Sequence, residues 1–321
     1  MQQASASTPE RLLERLRVMT RIRAFEEEVA RQFRAGNVHG FVHTSIGQEA
    51  VASGVCAVLR RTDMITTTHR GHGHCLAKGA DSTAMMAELF GRESGTCRGR
   101  GGSMHLADAR HGIIGANGVV GAGVPIAVGA ALGARARGRD DVAVAFLGEG
   151  AVHTGSFHEG VTLGVAWQVP VIFVCENNQY AEFTPSEGAW HGPDLITRAR
   201  GYGLRAASID GNDVEAVETA AREAVGLARR GGGASFLEMR TYRIGGHYEG
   251  DAARYRRAGE LEPWQARDPI AGARGRLEGT GLEARADALA AAAAEEMREA
   301  VDEALAAPFP DPASVLEAVG G

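Results

Sequence analysis

The stretch DVAVAFLGEGAVHTG, residues 141–155, decides the fold. Val142, Val144, Phe146 and Leu147, with Ala143 and Ala145 between them, form the apolar run of a strand covered on both faces, as a central parallel strand is. The run stops at Gly148, so Glu149 stands at the strand's carboxyl end. In open α/β sheets that edge binds ligands, and Gly148 and Gly150 place no β-carbon between the backbone and a phosphate. The competing reading is a glycine-rich turn that leaves Glu149 in water.

A second run, VPVIFVCENNQY at residues 169–180, ends in Glu176, Asn177, Asn178 and Tyr180. Asn178 follows Glu149 by 29 residues, the length that one helix and one returning strand require. If the two strands are neighbours, a carboxylate, a carboxamide and a nearby backbone carbonyl meet. Such hard oxygen ligands suit magnesium, with positions left for phosphate and water. Gly148-Glu149-Gly150 also begins a dinucleotide fingerprint, with Glu176 where a ribose-binding acid lies, but its third glycine is replaced by His153.

Further strands are expected near residues 206–209 and 235–241, alternating with helices near 155–168, 193–201 and 213–229. Repeated βαβ units give a parallel sheet, hence an α/β fold. Upstream, Thr8 and Pro9 open a helix whose Leu12, Leu16, Met19, Ile22, Phe25, Val29 and Phe33 recur at helical spacing. Helices are also expected over 48–59, 82–90 and 120–137, and at 282–307 for packing. No linker divides the chain, so residues 1–321 read as one domain with helical extensions at about 8–36 and 282–307.

The 321 residues are 44% apolar and 23% charged with a formal charge of −6, which disfavours nucleic acid and anionic membrane as main partners. No apolar run approaches the ~18 residues of a membrane span, and no basic-then-apolar leader is present, so the expectation is a cytoplasmic protein. Cys56, Cys75, Cys97 and Cys175 are scattered, which suggests neither zinc nor disulfides. The 44 glycines crowd between Gly36 and Gly160, a density tolerable where the backbone itself meets a ligand.

Six ordered blocks resemble the α subunits of thiamine-diphosphate-dependent 2-oxo acid and acetoin dehydrogenases. They are GFVHTSIGQEA at 40–50, THRGHGH at 68–74, CRGRGGSMH at 97–105, GANGVVGAGVPIAVGAAL at 115–132, the GEG and NN segments, and TYRIGGHYEGDAARYR at 241–256. The resemblance implies the thiamine-diphosphate-binding fold, with Glu149, Asn178 and the carbonyl of Tyr180 as magnesium ligands. It places Gly148, Gly150, Ala151 and Arg70 at the diphosphate, Arg70 as a fork for phosphate oxygens. Gly118 and Val120 fall at the aminopyrimidine ring. His43 and His247 match the two histidines that relatives use near the reacting carbon and on the active-site loop, and His69 and His105 fall in blocks that surround the cofactor. Histidines so gathered handle protons near neutral pH.

Most relatives have Asp where Glu149 stands, although branched-chain members carry Glu. His153 and Thr154 replace Asn and Gln of pyruvate-type members, and His69 replaces their tyrosine, as acetoin-type members resemble. The implied activity is cleavage of a 2-oxo acid or acyloin, the acetoin type favoured, with acyl transfer to a lipoyl acceptor. The implied assembly has two α and two β subunits, β supplying the glutamate that activates the pyrimidine. A close alternative loads a two-carbon unit onto a carrier protein. From other classes come a nicotinamide dehydrogenase and a non-catalytic cofactor-binding subunit. The small-residue stretch GVVGAGVPIAVGAALGA at 118–134 suits a tight subunit interface or internal helix packing.

Overall fold

The apolar run of residues 142–147 lies in the middle of a parallel sheet. The computed structural model describes residues 8–187 and 192–314. In chain order it contains α1 (Pro9–Arg34), α2 (Glu49–Cys56), β1 (Met64–Thr68), α3 (His72–Lys78), α4 (Ser82–Leu89), β2 (Ile113–Asn117), α5 (Gly123–Ala136), β3 (Ala143–Gly148) and α6 (Gly155–Ala166). There follow β4 (Val171–Asn177), β5 (Tyr180–Ala181), β6 (Thr184–Pro185), α7 (Leu195–Gly201), β7 (Arg205–Asp210), α8 (Val214–Arg229), β8 (Ser235–Arg240), α9 (Leu261–Gln265), α10 (Pro269–Gly275) and α11 (Glu283–Ala306). Six strands pair in the order β2-β1-β3-β4-β8-β7, all parallel. β5 and β6 form a separate antiparallel ribbon.

Alternate residues of β3 and β4 enter two different cores. Val144, Phe146, Ile172 and Val174 join one with α1, α4 and α11. Ala143, Ala145, Leu147, Val171, Phe173 and Cys175 join the other with α5, α6 and α7. Both faces are therefore dry, which is why these strands carry no alternation.

The N-terminal helix follows its sequence signals, with Thr8 Oγ1 accepting from Arg11 N–H and Pro9 in the first turn. At the other end, Met297, Ala300, Val301 and Ala304 bury α11 in the first core, beside α1 and α4.

The helix expected from residue 120 starts instead at Gly123. Asn117 Oδ1 accepts from the Val119 N–H at 2.8 Å, and Gly121 at φ +83° approaches Thr154 so closely that a Cβ would lie 2.2 Å from its Oγ1. This turn spends residues 117–122 outside the helix and leaves Val119 and Val120 exposed. β1 and β2 also fall outside the sequence reading. Met-Ile-Thr-Thr-Thr is β-branched, as strands prefer, but its hydroxyls mask the apolar pattern. Inside the fold the hydroxyls are satisfied, Thr66 donating to the Gly123 carbonyl at 2.9 Å and Thr67 pairing with His74 Nδ1 at 2.7 Å.

Cys56, Cys75 and Cys175 are buried free thiols, while Cys97 is partly exposed. Among the described residues, no helix is long and apolar enough to cross a membrane.

Candidate active site

The chain runs from β1 to β2 on one side and returns across β1 to reach β3 on the other. Neighbouring strands whose connections diverge leave a crevice at their carboxyl ends. A cavity of about 350 Å³ occupies that place, lined by residues 67–70 at the end of β1 and 146–151 along the end of β3. Glu176 near the end of β4 and Asn178 and Tyr180 beyond it, with His43, Gln48, Arg243 and His247, close its other sides.

Register brings the two acidic strand ends together. Gly148 pairs with Glu176, and the Asn178 N–H donates to Glu149 Oε2 at 3.3 Å. Glu149 is 0% exposed, so the reading of a solvated turn glutamate is overturned. Ser186 Oγ donates to its Oε1 at 2.9 Å. Burial pushes its carboxyl above the ordinary range, against hydrogen bonds and the more distant Arg243 charge that pull it down, and no Lys or Arg is in ion-pair contact with it among the described residues. Asn178 Oδ1 accepts from the Tyr180 N–H at 3.2 Å, which leaves one of its two lone pairs. Opposite Tyr180 in the ribbon stands Pro185, which has no N–H to offer the Tyr180 carbonyl. A buried carboxylate without a counter-ion, beside two further oxygens, fits a hard cation such as magnesium.

The opposite wall is cationic. Arg70 and Arg243 are both buried, and burial lowers both guanidinium pKa values, that of Arg70 to about 9 with the Arg243 charge as a further cause, and that of Arg243 with the Arg256 charge as a further cause. Arg70 donates to the carbonyls of Thr44 and His247 at 2.9 and 2.7 Å. Arg243 donates to the Glu182 carbonyl at 2.8 Å and to Tyr255 Oη at 2.7 Å. Neither has a carboxylate partner among the described residues, so both charges are available to an anion in the cavity.

His43, His69 and His247 cluster beside these arginines, with ring centroids 4.6, 5.0 and 5.6 Å apart. Burial first, and then the Arg70 charge, holds their pKa values down to about 3, 2 and 4 respectively. All three are neutral near pH 7. Arg70 and Arg243 both donate to His247 Nδ1, at 3.1 and 3.3 Å. That assigns the proton to Nε2, and His247 therefore presents a donor to whatever it faces.

Other sequence candidates spread more widely. Gly118 and Val120 line the cavity, Val120 being 51% exposed at its mouth. His105 does not line it and is exposed, although its ring lies 3.8 Å from where a Cβ of Gly118 would be. Thr154 Oγ1 caps α6 by accepting from the Phe157 N–H, and Arg198 donates to His153 Nδ1 at 3.1 Å. Neither residue belongs to the cavity lining. Sequence reading missed Gln48, Thr67, Thr68, Met104 and Arg243, all of which line it. Arg243 carried a signal, since it stands four residues before His247 in a block already singled out.

The chain matches the dehydrogenase E1 component family over residues 17–313. It is 48% identical to the alpha subunit of acetoin:2,6-dichlorophenolindophenol oxidoreductase from Bacillus subtilis (strain 168), over 83% of this chain and 80% of that one. Identity to the Cupriavidus necator protein of the same name is 45%, over 98% and 96%. Identity is 38% to the chloroplastic pyruvate dehydrogenase E1 component subunit alpha-3 of Arabidopsis thaliana, over 92% of this chain and 71% of that one. A match running through both flanking helices and every strand of the sheet shows that the chain belongs to the dehydrogenase E1 component family of thiamine-diphosphate-dependent oxidoreductases.

Proposed function

We propose that this chain is the α subunit of an acetoin-type dehydrogenase that cleaves an acyloin or a 2-oxo acid and passes the acyl group to a lipoyl-bearing acyltransferase. One observation carries this reading. One cavity holds a buried carboxylate on one wall and two buried guanidiniums on the other, none of the three in ion-pair contact among the described residues. That is the charge complement of a magnesium diphosphate. Similarity to two acetoin oxidoreductase α subunits, together with His69 at the cavity, supports the acetoin type over the pyruvate type.

When bound, thiamine diphosphate supplies the ring carbon that attacks a carbonyl and the electron sink for the bond that breaks. The chain's own part is binding and proton placement. Glu149, Asn178 and the Tyr180 carbonyl hold magnesium. Arg70 neutralises phosphate charge, and Gly148, Gly150 and Ala151 let the backbone come close. His247 donates from Nε2, and neutral His43 accepts or donates at the reacting end. A β subunit, two α with two β, completes the site with the acid that activates the pyrimidine. The chain acts as one domain in this assembly, both terminal helices packing on the same core.

Calorimetry with the full chain tests this reading. Thiamine diphosphate should bind only with magnesium present, and acetoin turnover should appear on adding the β subunit together with a lipoyl disulfide or an artificial two-electron acceptor. Magnesium-independent binding would overturn the metal assignment. Turnover of pyruvate in preference to acetoin would overturn the substrate.

A further inference from the structure

Among the uncharged side chains that line the cavity, Gln48 has its orientation fixed and its amide nitrogen left without an acceptor among the described residues. The Tyr180 backbone N–H can only donate, and it donates to Asn178 Oδ1 at 3.2 Å. Asn178 Nδ2 is therefore the atom that faces Gln48, and only the Gln48 carbonyl can accept from it, at 3.2 Å. The two carboxamides are ordered by a backbone group whose polarity is beyond choice. Gln48 Nε2 is left as the other end of that side chain. It is buried and has no hydrogen-bond partner, on a residue 2% exposed that lines the cavity.

Local structure makes no use of this amide. Gln48 occupies the cap position of α2, yet its side chain makes no cap bond, and the preceding Gly47 N–H donates to Glu49 instead. The nearby carboxylates are engaged elsewhere, Glu149 by Ser186 and the Asn178 N–H, Glu176 by His74. A buried amide donor without an acceptor costs about 1–3 kcal/mol. It has no lone pair with which to bind a cation, so its natural partner is an oxygen of an anion. We propose that Gln48 is a cofactor-binding residue, its Nε2 donating to a diphosphate oxygen while its Oε1 holds the Asn178 carboxamide in place for the metal. The assignment rests on the reading of the cavity as a magnesium diphosphate site.

The test compares two ligands by calorimetry on the complex of the full chain with its β subunit. Inorganic diphosphate with magnesium probes the phosphate end, and thiamine probes the ring end alone. In Gln48→Met, affinity for magnesium diphosphate should fall roughly 10- to 100-fold, the strength of one hydrogen bond to a charged group, with thiamine affinity unchanged. Unchanged diphosphate affinity, or an equal loss for both ligands, overturns the proposal in favour of a purely structural glutamine. Should Gln48→Met fail to fold, Gln48→Glu decides. It keeps an acceptor for Asn178 but donates only when protonated, so its diphosphate affinity relative to wild type should be lower at pH 8 than at pH 6. A ratio independent of pH overturns the assignment. Wild-type protein that binds thiamine but no magnesium diphosphate would overturn the cavity reading itself, a result separable from any effect at Gln48.

Discussion

The two ends of the cavity, proposed above as the metal end and the reacting end, are held by different means. Glu149 and Asn178 stand at the ends of β3 and β4, whose ladder is continuous from Ala143 opposite Val171 to Gly148 opposite Glu176. His247 stands in a segment with no ladder. There Asp251 Oδ2 accepts from the His247 N–H at 2.6 Å and from Tyr255 Oη at 2.7 Å, Asp251 Oδ1 accepts from the Ala253 N–H at 2.8 Å, and Arg256 donates to the carbonyls of Arg243 and Ile244. The metal end thus inherits the stability of the sheet, while the reacting end depends on a few polar contacts that can open separately. Binding and chemistry should respond differently to the same perturbation.

The largest expected effect concerns what neither end contains. In the proposed site Glu149 is taken by the metal, Glu176 pairs with His74 at 3.2 Å, and Glu182, the third acid of the lining, is exposed to water, so none of the three is a buried acid free to activate the pyrimidine. Deuterium exchange at the thiazolium carbon, followed by NMR, should be roughly 10²- to 10⁴-fold slower with this chain alone than with the β subunit present. Rapid exchange by the chain alone would mean that one of its own acids does this work.

At the metal end, Glu149→Ala should weaken magnesium-dependent cofactor binding by at least ~100-fold, because it leaves the ion without its one charged ligand. The residue ends a strand and lies outside the apolar clusters, so circular dichroism should show an intact sheet. Glu149→Asp should keep part of the affinity. At the reacting end, Asp251→Ala should lower affinity by only about tenfold, the scale set by losing one or two charge-assisted hydrogen bonds. It should nevertheless raise amide exchange across residues 245–257. In wild-type protein the same amides should gain protection when cofactor and magnesium bind, since an anion between Arg70 and Arg243 relieves their repulsion. Equal exchange with and without ligand would argue that the segment is already as rigid as the sheet.

This contrast also marks how far the sequence could be read. The meeting of Glu149 and Asn178 was legible because strand, terminating glycine and acid are consecutive, so spacing alone brings the two together. β1 was hidden because Thr66, Thr67 and Thr68 look polar until their buried partners are known. The lining role of Gln48 rests on its contact with Asn178, 130 residues away, and that of Arg243 on its contact with the Glu182 carbonyl, 61 residues away, and no local pattern records these contacts. Val120 was assigned to a helix because Gly and Ala at helical spacing say nothing of the Asn117 turn that delays the helix until Gly123. His105 was grouped with the cavity by its block, whereas its side chain is exposed on the rim.

The smallest predicted effect separates the two ends by sign in their response to pH. His43, His69 and His247 have folded pKa values near 3, 2 and 4, set by burial and then by Arg70, against an ordinary 6.5. Below pH 6.5 the unfolded chain takes up protons that the folded chain refuses, so these histidines withdraw stability as pH falls from about 6.5 towards 4. Glu149 acts oppositely, because its carboxyl is raised by burial. The folded state binds its proton more readily than the unfolded one, and that contribution grows as pH falls through the folded value. Without cofactor, the melting temperature should therefore drop on going from pH 7 to pH 5, by a few degrees in order of magnitude. His69→Gln should flatten the drop, whereas Glu149→Gln should steepen it by removing the opposing term. A melting temperature that falls equally in both variants would show that the titrating groups lie outside the cavity, and the charge contrast between its two walls would have no thermodynamic expression.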